Sequence, residues 1–265
     1  MGFQIPSVVS IAGSDSSGGA GIQADIKTIE AMGLFAQTAI TALTAQNTMG
    51  VSGVHDVPAD FVAAQIDAVF NDIRPDAVKI GMVSQPDVVC TIADALRRHG
   101  ARNIVVDPVM VSTSGSRLMR EDAESVLVSE LCVLASVVTP NIPEAEVLSG
   151  MRVATKPQME AAALAISERC GAAVLVKGGH GVSDADDVLA THGAVHWLKG
   201  SRIDNPNTHG TGCTLSSAIA CGLARGDTIE QACRRAKTYI SHALESQLDL
   251  GTQSGPLDHM WQFRL

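Results

Sequence analysis

The sequence predicts an α/β fold with a mostly parallel sheet covered by helices on both faces. Two observations carry that expectation: short β-rich runs alternate with helical patterns from end to end, and the connections between them are mostly short. No linker, low-complexity tract or internal repeat interrupts the pattern, so residues 1–265 are expected to form a single domain. At 265 residues, such a domain can bury roughly three quarters of its unfolded surface.

The first strand is Ser7–Ala12, followed by helix Gly21–Met32 and strand Ala36–Thr41. In Pro58–Asp72, Phe61, Val62, Gln65, Ile66, Val69 and Phe70 recur at helical spacing. Strand Ala77–Ile80, helix Pro86–Arg98 and strand Asn103–Val106 come next. Helix Glu121–Leu131 leads into strand Ala135–Val138, which stops at Thr139-Pro140. A short helix is expected from Glu144, and Thr155-Lys156-Pro157-Gln158 resembles a capping box opening helix Gln158–Cys170. Strand Ala173–Lys177 precedes a hairpin of Val188–Thr191 and Val195–Leu198, turning at His192-Gly193. Helices Thr214–Arg225 and Thr228–Leu248 complete the pattern, the second capped by Asp227 and Glu230.

Composition narrows the function. Hydrophobic residues make up 46% of the chain, yet no apolar run approaches the ~20 residues of a membrane span. Met1 to Ser7 has neither a charged n-region nor a long apolar stretch, so no secretion signal is expected. Six cysteines (Cys90, Cys132, Cys170, Cys213, Cys221, Cys233) are scattered without CxxC pairs, which argues against zinc ribbons and disulfide frameworks. That usage fits a reducing cytosol, and a cytoplasmic location is expected. The net charge is −9 and the basic residues cluster no further than the pairs Arg97-Arg98 and Arg234-Arg235, which argues against nucleic acid as a partner. With only five Phe, two Trp and one Tyr, a ligand must be held by hydrogen bonds and aliphatic walls.

In parallel sheets ligands bind beyond the carboxyl ends of the strands, so the loops there carry the function. Gly13-Ser14-Asp15-Ser16-Ser17-Gly18-Gly19-Ala20-Gly21 follows the first strand, and Gly19–Ala24 fits the dinucleotide fingerprint G-x-G-x-x-A. The ribose carboxylate that this fingerprint needs about 20 residues on is missing from Ala42–Asn47. An NAD(P)-binding oxidoreductase therefore stands as a lesser alternative, and a glycine-permitted tight loop at a helix start as the plainer one. No P-loop motif occurs, so any phosphate chemistry must come from other loops.

Three such loops lie in the second half. Asn141 and Glu144 in Thr139-Pro140-Asn141-Ile142-Pro143-Glu144 read as an ordinary capping box, with a place near hydrated Mg²⁺ as the functional alternative. Lys177-Gly178-Gly179-His180 reads equally as a strand-end turn or as a lysine meeting phosphate. In Asn207-Thr208-His209-Gly210-Thr211-Gly212-Cys213, the two glycines let backbone N–H groups converge ahead of a helix. Such an anion hole stabilises a transferring phosphoryl group, each donor contributing about 3 kcal/mol. The same position would lower the pKa of Cys213, unless that residue is a small buried apolar group.

Together these segments resemble the hydroxymethylpyrimidine/phosphomethylpyrimidine kinases of thiamin biosynthesis, in the ribokinase-like superfamily. The similarity also takes in Ile11–Asp25, Thr41–Thr48, Lys79-Ile80-Gly81-Met82, Asp107-Pro108-Val109-Met110 and Thr139–Ala145, in the family's order and over almost the whole length. The resemblance implies a three-layer α/β domain, ATP with Mg²⁺, a homodimer, and two successive phosphorylations of 4-amino-5-hydroxymethyl-2-methylpyrimidine. It implies Cys213 as base and Gly210, Thr211 and Gly212 as the γ-phosphoryl cradle. It implies Lys177, Asn141, Thr208, Gly210 and Gly212 around ATP, and Glu144 and Asp107 near the metal. Gly13, Met82 and Val109 match positions lining the family's substrate pocket. Gln46 is the candidate to meet the amino group and ring nitrogen of the pyrimidine, since a carboxamide offers a matching donor and acceptor, with Asp25 on another polar edge. A pyridoxal kinase of the same branch is the nearest alternative.

Overall fold

The computed structural model describes residues 4–110, 118, 121–179 and 185–264. Among these are the strands β1 (Ser7–Asp15), β2 (Phe35–Asn47), β3 (Gly50–Asp56), β4 (Ala77–Ile80) and β5 (Ile104–Val106). They continue with β6 (Val137–Val138), β7 (Ala173–Val176), β8 (Asp187–Thr191) and β9 (Ala194–Leu198). All join one sheet in the order β3-β2-β1-β4-β5-β6-β7-β8-β9. The run from β2 through β7 is parallel, while β3, β8 and β9 pair antiparallel at the two ends.

Strand alternation divides the helices between the two faces. Val9, Ile11, Val78, Ile80, Val106 and Val138 pack against α2 (Ala59–Asn71), α3 (Pro86–His99), α4 (Glu121–Val126), α5 (Ile142–Ser149) and α6 (Lys156–Cys170). The intervening Val8, Ala77, Val105 and Val137 face α1 (Gly21–Ala31), α7 (Thr211–Ala224) and α8 (Ile229–Glu245). The result is the expected three-layer architecture with a mostly parallel sheet.

Several local expectations change. β2 runs six residues past Thr41, to Asn47, and turns back through β3, a strand absent from the sequence reading. Most of β3 is solvent-exposed, so its GVSGVHD carries little of the alternation that marks a half-buried strand. Helix α7 starts at Thr211, because Gly210 at φ 85° supplies the left-handed turn ahead of it. Helix α8 is capped by Thr228 and Gln231 in a reciprocal box rather than by Asp227 and Glu230, and it ends at Glu245. His180 lies outside the described residues.

Candidate active site

The carboxyl ends of the parallel strands converge on a cavity of about 920 Å³. Its floor follows from strand order: Gly13 lies near the end of β1, Met82 follows β4, Asp107 and Val109 follow β5, Asn141 follows β6 and Lys177 follows β7. Helix α7 and the loop before it close one side, bringing Thr208, Gly210, Thr211, Gly212 and Cys213, and Gln46 approaches from β2. Every proposed site residue except Asp25 lines this space.

The charged end is a linked set. Lys177 Nζ donates to Asp107 Oδ1 at 2.8 Å and lies 4.0 Å from Glu144 Oε2. Asp107 is fixed further by Thr139 Oγ1 at 3.1 Å and Ser216 Oγ at 3.3 Å. Glu144 accepts the Asn141 N–H at 2.8 Å and its own N–H donates to Asn141 Oδ1 at 2.9 Å. The capping box therefore exists, and it also seats a buried carboxylate beside Lys177. Burial raises the Glu144 carboxyl to about 7, with Lys177 opposing and Asp107 adding to the rise. Burial disfavours the Lys177 ammonium, but Asp107 and Glu144 hold its pKa above the usual lysine value.

This donor set fits Mg²⁺. No group of three or more His, Cys, Asp or Glu suited to a metal exists among the described residues. A hydrated Mg²⁺ shared with nucleotide phosphates is bound through one or two carboxylates, and Asp107 and Glu144 supply them. Burial, which raises the Glu144 pKa, is a cost to its carboxylate that a bound cation would offset.

Glycine shapes the cradle by close approach. A Cβ on Gly210 would fall 1.8 Å from the Gly19 carbonyl oxygen, so the loops after β1 and before α7 touch through backbone alone. A Cβ on Gly212 would sit 3.2 Å from Asp107 Oδ2 and 3.4 Å from Lys177 Nζ. The first-turn amides of Gly212 and Cys213 have no intrahelical acceptor and stand at the positive end of the helix dipole.

Two expectations fail here. Asp25 is fully buried beneath the cavity, its carboxylate engaged by Lys79 Nζ at 2.8 and 2.9 Å, Ser10 Oγ at 2.5 Å and Ser217 Oγ at 2.8 Å, so it is not a wall of the pocket. The Cys213 thiol is not acidified. Burial pushes it up to about 11; Lys79 opposes the rise and Asp25 and Asp107 add to it. The dinucleotide alternative also fails. The N–H groups of Gly19 and Ala20, which a pyrophosphate would need, donate to Asp15 Oδ2 at 3.1 and 2.8 Å.

Asp15 and His209 are site residues that the sequence reading missed. His209 Nε2 lies 2.8 Å from Asp15 Oδ2 across 194 positions of sequence, and both side chains border the cavity. Burial raises the Asp15 carboxyl, but hydrogen bonds from His209, Ser17 and Ala20 prevail and hold it at about 2. The Gln46 carboxamide lies between Thr44 Oγ1 at 3.1 Å and His209 Nε2 at 3.4 Å. The only sequence signal for this group was an unassigned His inside a glycine loop.

A three-layer α/β fold with an amide cradle, a lysine and two carboxylates at its sheet edge defines a phosphotransferase of the ribokinase-like kind. The chain belongs to the phosphomethylpyrimidine kinase family, whose model matches residues 15–258. It is 50% identical over 255 residues to a hydroxymethylpyrimidine/phosphomethylpyrimidine kinase of Rhizobium meliloti, covering 95% of this chain and 96% of the relative. A thiamine biosynthesis bifunctional protein of Geobacter sulfurreducens is 48% identical over 97% of this chain, which spans 53% of that longer protein. The crystal structure of a Clostridium difficile phosphomethylpyrimidine kinase superposes with a TM-score of 0.81 at 42% identity, over 91% of this chain and 99% of the other. A Bacillus subtilis pyridoxal kinase in an ADP complex superposes with a TM-score of 0.91 at 34% identity, over 98% and 99%.

Proposed function

We propose that this chain transfers the γ-phosphoryl group of ATP to the hydroxymethyl group of 4-amino-5-hydroxymethyl-2-methylpyrimidine, and then phosphorylates the monophosphate to the diphosphate. The observation that carries this reading is one cavity lined by Gln46, the Lys177–Asp107–Glu144 set, Cys213 and the glycine cradle together. Gln46 meets the amino and ring-nitrogen edge of the pyrimidine, while Gly13, Met82 and Val109 form its walls. Lys177, Asn141, Thr208, Gly210 and Gly212 hold the ATP phosphates, and the amides of Gly212 and Cys213 receive the charge that develops on the moving phosphoryl group. Glu144 and Asp107 would hold Mg²⁺, which when bound neutralises phosphate charge.

Cys213 accepts the hydroxyl proton in the first reaction. Because its thiol is held at about 11, the reactive thiolate is a minor form at neutral pH and the step accelerates as pH rises. In the second reaction the attacking phosphate is already ionised near neutral pH and needs no base. The sheet running from β3 to β9 supports residues 1–265 acting as one kinase domain. The reading also carries a homodimer and a cytoplasmic location; among the described residues no helix is long and apolar enough to cross a membrane.

The test is a time course of product analysis with ATP, Mg²⁺ and the pyrimidine, in which monophosphate rises first and diphosphate follows. Absence of both refutes the reading. The likeness to the Bacillus subtilis pyridoxal kinase favours a second reading as a vitamin B6 kinase. A higher kcat/KM for pyridoxal than for the hydroxymethylpyrimidine would make it the better one.

A further inference from the structure

The proposed mechanism leaves one buried charged pair without a role. Lys79 and Asp25 are each 0% exposed and neither lines the cavity. Strand alternation explains how they meet. Lys79 lies between Val78 and Ile80, which face the α2–α6 layer, so its side chain points to the α1/α7 face. Ser10 of β1 is its register partner on that same face, and Asp25 comes from α1. Ser217 on α7 completes the set, its Oγ donating to Asp25 Oδ1 at 2.8 Å.

Four elements therefore converge on one carboxylate. Gly81 keeps room for the lysine, since a Cβ there would lie 2.7 Å from Lys79 Nζ. Stability alone is a poor reason for such a pair. A buried ion pair commonly contributes no more than well-packed apolar residues of the same volume, and it fails badly when one member is lost.

Its geometry offers a better reason. Ser217 lies one helical turn beyond Cys213, and Ser216 one turn beyond Gly212. Ser216 Oγ bonds Asp107 Oδ2 at 3.3 Å and Gly212 O at 2.9 Å. The opening turns of α7 are thus tied on one side to Asp107–Lys177 and on the other to Asp25–Lys79.

We propose that Lys79 and Asp25 are positioning residues for phosphoryl transfer, holding the start of α7, with its amide cradle and the Cys213 sulfur, in register with Asp107 and Lys177. The inference rests on the cradle reading given above. The pair also acts on the thiol: Lys79 favours the Cys213 thiolate more strongly than Asp25 disfavours it.

The deciding variant neutralises the pair without leaving a lone buried charge, Lys79→Met with Asp25→Asn. In the folded double variant, kcat for the hydroxymethyl substrate should fall about 100-fold, the loss a displacement of roughly 1 Å produces. The pyrimidine KM should stay within about threefold, because Gly13, Gln46, Met82 and Val109 lie outside α7. Alkylation of Cys213 by iodoacetamide at pH 9, read by peptide mass spectrometry, should slow as the thiolate fraction drops. Folding alone would not move that rate. Ser217→Ala removes only the tie to α7 and should lower kcat about tenfold in both phosphorylations, and it decides the matter if the double variant fails to fold. Wild-type kcat in Ser217→Ala, or wild-type kcat and alkylation in a folded double variant, overturns the inference. A wild-type protein that phosphorylates neither alcohol overturns the kinase reading instead, and the alkylation arm still reports on positioning.

Discussion

Gly210→Ala tests whether the cradle depends on two loops touching through backbone. Gly210 has φ 85°, and an added Cβ would sit 1.8 Å from Gly19 O and 2.9 Å from the Gly19 carbonyl carbon. A Cβ has no rotamer with which to escape, so the loops must part by roughly 1 Å, a displacement that costs about 10²-fold in rate. Losing one cradle donor gives a similar figure, roughly 3 kcal/mol of transition-state stabilisation. Gly226 supplies the control, having φ 86° but nothing within 4 Å of an added Cβ. Gly226→Ala therefore carries only the left-handed backbone cost, about 1–2 kcal/mol, and lowers Tm by a few degrees with kcat/KM unchanged. The assay is coupled ADP release with the hydroxymethylpyrimidine, alongside a thermal melt. If Gly210→Ala turns over within twofold of Gly226→Ala, contact between the loops does not shape the cradle.

Three further outcomes follow from the site. Between pH 7 and 9 the kcat/KM of the first phosphorylation should rise about tenfold per unit, since the Cys213 thiol titrates near 11. That slope should vanish in Cys213→Ala and be absent from the second phosphorylation; a flat wild-type profile removes the base role. Gln46→Ala should raise the pyrimidine KM about tenfold and leave the ATP KM alone, as lost hydrogen bonds to one ligand would, and steady-state kinetics with each substrate varied will tell. Glu144 has a folded pKa of about 7 against an ordinary 4.5, so the fold favours its protonated form, and its burial weakens stability increasingly from pH 4.5 up to 7 and fully above. Glu144→Gln should therefore melt higher than wild type at pH 8 and equal to it at pH 4.5, while losing at least about tenfold in kcat; a lower Tm at pH 8 contradicts the burial argument.

The sequence showed what local rules control. Strand–helix alternation sufficed for the layers because it reports burial directly, and Asn141 with Glu144 was legible as a cap because a capping box spans four residues. The loops before α5 and α7 stood out because glycine, proline and polar residues gather where strands end. What remained hidden depends on distant partners. Asp15 and His209 are 194 positions apart, and no periodicity joins them. Asp25 was a plausible wall residue until Lys79, 54 positions away, proved to occupy its carboxylate. Strand β3 was missed because its side chains face solvent and leave no alternating pattern.

Cys213 shows how competing magnitudes overturn a correct local observation. A helix N-terminus favours a thiolate by roughly 0.3–1 kcal/mol in exposed settings and by about 2 kcal/mol at best. Burial, even with Lys79 opposing it, leaves the thiol at about 11 against an ordinary 9.0, a net cost to the thiolate of roughly 3 kcal/mol. Desolvation therefore exceeds the dipole, and the position read as acidifying holds a neutral thiol. That neutrality suits a site serving two nucleophiles. A resident thiolate would speed attack by an alcohol but repel an incoming phosphate, by about 4 kcal/mol at 4 Å for unit charges at an effective dielectric of 20. A neutral thiol slows the first reaction at neutral pH and leaves the cradle open to the anionic nucleophile of the second. On this argument, a change that acidifies Cys213 should speed the first phosphorylation and slow the second.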